Sequence, residues 1–158
     1  MSKALVAWFS AEYGSTAKVA EKLTAATGAD KFEIVPVKPY TKADMNYSNP
    51  VARCNREKIG RRDVPIAGTV NNMADYDTVY IGFPIWYYGA PNIIQTFVKQ
   101  YDLAGKKVAL FVTSGGSDVG RTVEKLQPYL STGTVIAACK RFDVSASEAE
   151  LAAWAKSI

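Results

Sequence analysis

The chain alternates short apolar runs with segments in which apolar residues recur at the spacing of a helix. The runs are rich in Val, Ile, Ala and aromatic side chains, which is typical of strands buried on both faces. They predict five strands, at residues 4–9, 32–37, 77–83, 107–113 and 134–139. Pro36 interrupts the second run, and because proline cannot donate to a sheet ladder, this favours an edge position for that strand.

Helical segments lie between those runs. The apolar spacing predicts helices at residues 15–27, 91–101, 118–130 and 147–158. Gly28 ends the first helix, Pro91 stands in the first turn of the second, and Pro128 disturbs the third near its end. Ser147 and Glu150 have the spacing of a capping box at the start of the fourth.

The segment between the second and third strands, residues 38–76, is long and mostly polar. One short helix is predicted in it, capped by Asn49 and ending before Gly60. Between Lys38 and Arg62 seven basic residues stand against two acidic ones. We interpret this excess as a solvated helix and loop, because no nucleic-acid motif accompanies it; a patch for an anionic partner or a phosphorylated substrate is the alternative.

Strands that alternate with helices indicate a parallel sheet with helix layers on both sides. Right-handed crossovers leave few topologies, and five strands suit the doubly wound order 2-1-3-4-5. The predicted fold class is therefore α/β, a doubly wound three-layer sandwich. A length of 158 residues suits one domain, which we expect to span residues 1–158.

Composition narrows the possible chemistry. The chain has no histidine, which excludes Ser–His and Cys–His catalysis and histidine-ligated metals, so we expect a bound cofactor to carry the chemistry. The two cysteines, Cys54 and Cys139, are interpreted as reduced thiols. No apolar run approaches the roughly 18 residues of a membrane span, and the start of the chain lacks the pattern of a secretory signal, so we expect a cytoplasmic protein.

Three unusual loops follow the first, third and fourth strands, at 10–16, 83–91 and 113–120. In a sheet of this order, ligands bind beyond the carboxyl ends of the strands where the strand order reverses. The first loop, SAEYGST, leads into a helix, and helix N–H groups with nearby hydroxyls suit a phosphate. Gly14 lets successive N–H groups converge. The alternative is that Ser15 is only a helix cap and Gly14 only eases the turn.

The second loop belongs to the stretch GFPIWYYGAP and contains three adjacent aromatic residues between two prolines. Such a cluster in a connection favours stacking on a flat cofactor, although burial is the usual fate of an aromatic side chain. The third loop, in TSGGSDVGRT, supplies small residues that let backbone approach a planar ligand, and Ser117 is expected to cap the next helix. The alternative here is a flexible glycine-rich turn.

With its PIWY and TSGGS loops the sequence resembles the flavodoxin family over essentially the whole chain. The resemblance implies one non-covalently bound FMN. The residues it implies for the phosphate are Ser10, Tyr13, Gly14, Ser15 and Thr16. Those it implies around the isoalloxazine ring are Pro84, Ile85, Trp86, Tyr87, Tyr88 and Gly89, with one of the three aromatics stacked on it. Those it implies for the pyrimidine side are Thr113, Ser114, Gly115, Gly116 and Ser117.

Two features depart from the family pattern. Many flavodoxins have three residues from the first hydroxyl of the phosphate loop to its glycine, whereas Ser10 and Gly14 are four apart and Tyr13 replaces the second threonine. Carrier flavodoxins are also typically acidic, whereas this chain has a net charge of +4.

The expected function is an FMN-binding redox protein that transfers electrons to a partner protein or a small acceptor, with no role for nucleic acid or a membrane. An NAD(P)H-dependent reductase of quinones or other small acceptors is the first alternative. A regulatory module without flavin is the second, although the tip of the first strand offers only Glu12 toward the carboxylate cluster that a phosphoacceptor site needs. The redox partner and the oligomeric state are left open.

Overall fold

The computed structural model describes residues 3–10, 15–38, 48, 52, 64–85, 89–113 and 122–158. The short helix predicted after Asn49, the thiol of Cys54 and most of the basic segment lie outside these ranges. Cys139 lies within them and is half-buried.

Seven strands occur in the described residues. They are β1 (Ala4–Trp8), β2 (Asp30–Glu33), β3 (Val35–Pro36), β4 (Ile66–Ala67), β5 (Thr78–Pro84), β6 (Lys107–Thr113) and β7 (Val135–Arg141). Five of them form one parallel sheet in the order β2-β1-β5-β6-β7. Counted along the chain, this is the predicted order 2-1-3-4-5, so the doubly wound α/β fold is confirmed.

The described residues contain four α-helices, of which the last follows the final strand. They are α1 (Ser15–Thr27), α2 (Asn92–Lys99), α3 (Thr122–Leu126) and α4 (Glu148–Lys156), and 3-10 turns occupy Met73–Asp75 and Gln127–Tyr129. Gly28 ends α1 with a φ of 68°, and its N–H bonds the carbonyl of Thr24. The Ser147 hydroxyl accepts the N–H of Glu150 and caps α4. No helix in the described ranges is long and apolar enough to cross a bilayer.

The sheet is covered on both faces, as the continuous apolar strands predict. Along β1, Leu5 and Ala7 point into a core shared with α2, whereas Val6 and Trp8 point into a second core shared with α1 and α4. In this second core Gly82 of β5 lies under the fully buried ring of Phe111, and a Cβ at Gly82 would stand 2.1 Å from Cε2 of that ring.

A lysine of α1 forms hydrogen bonds with the connection between β7 and α4. The Lys22 ammonium donates to the carbonyl oxygens of Val144 and Ala146, each at 2.8 Å. Two helices from distant parts of the sequence are thereby held side by side over the second core.

The predicted strand at 32–37 is wrong in its bounds. Its sheet portion begins earlier, at Asp30, and ends at Glu33, while Val35–Pro36 pairs antiparallel with Ile66–Ala67 in a separate small sheet. Pro36 has no N–H to donate, so the chain leaves the ladder with β1 after Ile34, whose N–H bonds the carbonyl of Trp8. The short strand β4 and the 3-10 turn at Met73–Asp75 also replace what was predicted as loop.

Candidate functional site

The strand ends that carry the three loops lie beside one another. In the sheet register Trp8 of β1 pairs with Gly82, and Pro84 of β5 pairs with Thr113 of β6. The strands are parallel, so their carboxyl ends lie together along one border of the sheet, and this border is the edge that carries the candidate site. On one side of β1 lies β2 and on the other lies β5, which makes this edge the point where the strand order reverses.

The N-terminus of α1 lies at this edge. Ser15 is its first residue. The hydroxyl of Ser10, which follows β1, accepts the N–H of Ala17 at 3.3 Å and therefore lies next to the first turn of the helix. The first turn contains no acidic residue but does contain Lys18. By contrast, α4 has Glu148 and Glu150 in its first turn. The positive end of α1 is therefore not neutralised by its own side chains, which suits an anion.

A hydrogen bond between two threonines joins the first loop to the third. Thr16 Oγ1 and Thr113 Oγ1 are 2.7 Å apart although the residues are 97 positions apart in sequence. Both side chains are buried, with 1% of Thr16 and 4% of Thr113 exposed. Because the bond is shielded from water, it holds the start of α1 against the end of β6.

The backbone of Thr113 joins the third loop to the second. Its carbonyl accepts the N–H of Ile85 at 2.9 Å, which continues the pairing of β5 and β6 one step past Pro84. The loop predicted at 83–91 therefore begins later, at Ile85, because Phe83 and Pro84 belong to β5. We call residues 85–91 the aromatic loop. Pro84 and Ile85 are half-buried at this edge.

The far end of the aromatic loop packs under a lysine of α3. Gly89 is buried, and a Cβ added there would stand 3.1 Å from Cδ of Lys125. The aliphatic stem of Lys125 therefore lies across Gly89. Sequence reasoning missed Lys125, because a lysine at this place in a helix is indistinguishable from a solvated one until the loop is seen against it.

The structure thus brings together Ser10, Ser15, Thr16, Pro84, Ile85 and Thr113, with Gly89 where the aromatic loop rejoins the described chain. Nine of the predicted site residues lie outside the described ranges: Tyr13, Gly14, Trp86, Tyr87, Tyr88, Ser114, Gly115, Gly116 and Ser117. The role of each predicted residue remains a prediction.

Among the residues that the structure describes, three groups with shifted pKa values lie away from this edge. A hydrogen bond from Tyr76 and the nearby Lys3 hold the pKa of Asp30 below its usual value, and burial raises the pKa of the Tyr76 phenol. Both groups lie near the opposite, amino end of β1 and β5. Burial also raises the pKa of Tyr80, within the second core. Such groups do not supply acid–base chemistry to the candidate site.

Solved structures of similar architecture come from several bacteria. A candidate flavoprotein from Bacteroides eggerthii has 39% sequence identity and a TM-score of 0.89, with 100% of this chain and 98% of that chain covered. A second, from Bacteroides uniformis, has 35% identity and a TM-score of 0.85 over 98% of each chain. A flavoprotein from Lactobacillus acidophilus, solved in complex with FMN, has 21% identity and a TM-score of 0.72 over 98% of this chain and 99% of that chain.

None of the curated proteins compared has significant sequence similarity to this chain. A sequence model of the flavodoxin family, however, matches residues 3–158. Together with the sheet order and the Bacteroides structures, this match shows that the chain belongs to the flavodoxin family.

Proposed function

We propose that this protein binds one FMN non-covalently and transfers electrons through it to a partner protein or a small acceptor. The observation that carries the proposal is the junction at Thr113. The side chain of Thr113 bonds the start of α1, and its carbonyl bonds the start of the aromatic loop. The ends of three loops that resemble an FMN site are therefore physically connected.

The donor groups at the start of α1 fit a phosphate monoester. Ser10, Ser15 and Thr16 provide hydroxyls next to the positive end of a 13-residue helix. One phosphate needs neither the lysine nor the Mg²⁺ of a triphosphate loop. Lys18 adds positive charge in the same turn.

The residues that follow β5 fit a flat ring. Gly89 has no side chain where Lys125 crosses it, so the end of the aromatic loop lies close to α3. Pro84 and Ile85 offer apolar surface, and the segment that follows would wrap the ring, with one of its three aromatic residues stacked on it. Offset stacking contributes about 0.5–1.5 kcal/mol beyond the buried area.

Bound FMN would supply the redox chemistry at this edge. The residues of the chain bind and orient it: hydroxyls and N–H groups hold the phosphate end, and the loops after β5 and β6 hold the ring end. The Lactobacillus acidophilus protein, of the same fold, was solved in complex with FMN.

Direct binding tests the proposal. The protein is stripped of any bound flavin, titrated with FMN, and followed through quenching of flavin fluorescence. We expect saturation at one FMN per chain, with yellow protein after gel filtration. Adenosine monophosphate, which carries a phosphate but no flavin ring, is the matched control and should not compete at equal concentration. Failure to retain FMN would refute the proposal.

The net charge of +4 favours a second candidate, an NAD(P)H-dependent reductase of quinones or other small acceptors. Positive charge attracts the phosphates of a pyridine nucleotide, and Lys18 and Lys125 lie near the candidate site. Steady-state oxidation of NAD(P)H with a quinone separates the two roles. A reductase turns over with both reagents, whereas a carrier requires a reductase protein to reduce its flavin.

A further inference from the structure

We propose that Thr113 is a positioning residue that couples the phosphate end of the site to its ring end, acting through the hydroxyl of Thr16. This inference rests on the proposed binding of FMN. It assigns to Thr113 a role different from direct contact with the pyrimidine side of the ring, the role that the family resemblance implies.

The hydroxyl of Thr16 behaves unlike the other threonine hydroxyls of α1. Thr24 and Thr27 donate to carbonyls one turn earlier in their own helix, those of Ala20 and Leu23, each at 2.8 Å. Thr16 instead bonds a residue on another strand, and the bond is buried. Its hydroxyl is thus oriented by β6 and not only by the helix.

The direction of this bond decides what Thr16 can offer an anion. Each hydroxyl has one proton to donate and also accepts, and either oxygen of the pair can be the donor. A phosphate only accepts. When it lies at the start of α1, the favoured arrangement has Thr113 donating to Thr16 and Thr16 donating to the phosphate. Hydrogen bonds in such a chain polarise and strengthen one another.

Thr113 also carries the connection to the ring end. Its carbonyl accepts the N–H of Ile85, and the third loop continues directly from it. A change in the Thr113 side chain therefore acts on the phosphate through Thr16, while the backbone links that position the two ring loops remain. The affinity for FMN should suffer more than the affinity for riboflavin, which has the ring and no phosphate.

The test compares FMN and riboflavin binding in the full chain. Thr113→Val keeps the shape of the side chain and removes the hydroxyl. We expect it to weaken FMN about fivefold, the loss typical of one neutral hydrogen bond, because Thr16 loses the partner that orients its own donation to the phosphate. Riboflavin should weaken less than twofold. Thr113→Ser restores the hydroxyl and should restore the FMN-to-riboflavin affinity ratio. Thr24→Val on the same helix is the matched control and should leave the ratio unchanged.

A double-variant cycle identifies the route. If Thr113 acts through Thr16, the variant Thr16→Val/Thr113→Val has the same FMN-to-riboflavin ratio as Thr16→Val alone. A loss in the double variant equal to the sum of the two single losses would overturn the inference. An equal loss of both flavins in Thr113→Val would do so too. Should Thr113→Val fail to fold, Thr113→Ala gives the same comparison without the added methyl group.

The outcome for the wild type separates this inference from the proposed function. If the wild type binds neither flavin, the proposed function fails. If the wild type binds FMN and Thr113→Val weakens the two flavins equally, only the coupling through Thr113 fails.

Discussion

The ring of Phe111 occupies the space in which a side chain of Gly82 would lie. A Cβ at Gly82 would approach the ring to 2.1 Å, and Phe111 belongs to the core between the sheet, α1 and α4. We expect Gly82→Ala to lower the free energy of unfolding by about 3 kcal/mol, toward the upper end of typical overpacking costs, as measured by urea denaturation.

Two variants check that cause. Gly89→Ala adds the same methyl group against the flexible stem of Lys125 and should cost far less stability. Gly82→Ala/Phe111→Leu removes the obstructing ring and should be more stable than Gly82→Ala alone. A double variant no more stable than the single one would show that the ring is not the obstacle.

Replacing Ser10 should lower the affinity for FMN more than the stability of the fold. Its hydroxyl accepts the N–H of Ala17 at the start of α1 and lies where the phosphate is proposed. We expect Ser10→Ala to weaken FMN about fivefold to tenfold, as for the loss of one hydrogen bond to a charged group, with a smaller effect on riboflavin. Both constants follow from fluorescence titration. Ser157→Ala, which removes a hydroxyl bonded to Trp154 on α4, is the control and should leave both affinities unchanged.

Removing the Lys22 ammonium should loosen the connection between β7 and α4. Lys22→Met leaves two carbonyl oxygens without this donor, and we expect a loss of about 1–2 kcal/mol in the free energy of unfolding. Hydrogen exchange should accelerate around residues 143–147. Lys18→Met, on the exposed part of the first turn, changes the same charge and should leave this exchange unaltered.

The cluster at the opposite end of the sheet predicts a pH dependence of stability. The hydrogen bond from Tyr76, at 2.8 Å, lowers the pKa of Asp30 in the folded protein, and Lys3 adds to this effect. A carboxyl with a lowered folded pKa contributes stability above its unfolded pKa of about 3.9 and loses that contribution as the pH falls through the folded value.

Asp30→Asn should therefore be less stable than the wild type at neutral pH, and the difference should disappear in acid. Tyr76→Phe should raise the pKa of Asp30 toward its ordinary value, as followed by NMR titration of the carboxyl. An unchanged pKa in Tyr76→Phe would contradict the assignment of the hydrogen bond as the largest cause.

Sequence patterns predicted the buried strands best. The strand at 107–113 and the helix at 15–27 have the predicted bounds, because each has clear apolar periodicity and a clear end signal. The edge strands were less predictable. Asp30 and Lys31 belong to β2, and Lys140 and Arg141 to β7, although their polar side chains resemble loop residues. At a sheet edge the backbone pairing decides the structure while such side chains reach solvent.

The site was predictable in position but not in its connections. Small residues and hydroxyls after three strands of one sheet indicate a shared edge, and the structure brings Ser10, Thr16 and Thr113 together there. The bond between Thr16 and Thr113 depends on side-chain rotamers and on a separation of 97 residues, which no local pattern encodes. The position of Lys125 over Gly89 is hidden for the same reason.

The two hydrogen bonds of Lys22 have a consequence for synthesis on the ribosome. Its two carbonyl partners are added 122 and 124 residues after it, and the helix that α1 packs against follows them. Until then Val19 and Leu23 of α1 lack part of the cover that buries them in the finished core. The nascent chain therefore carries an apolar helix face, of the kind that chaperones recognise, through most of its translation.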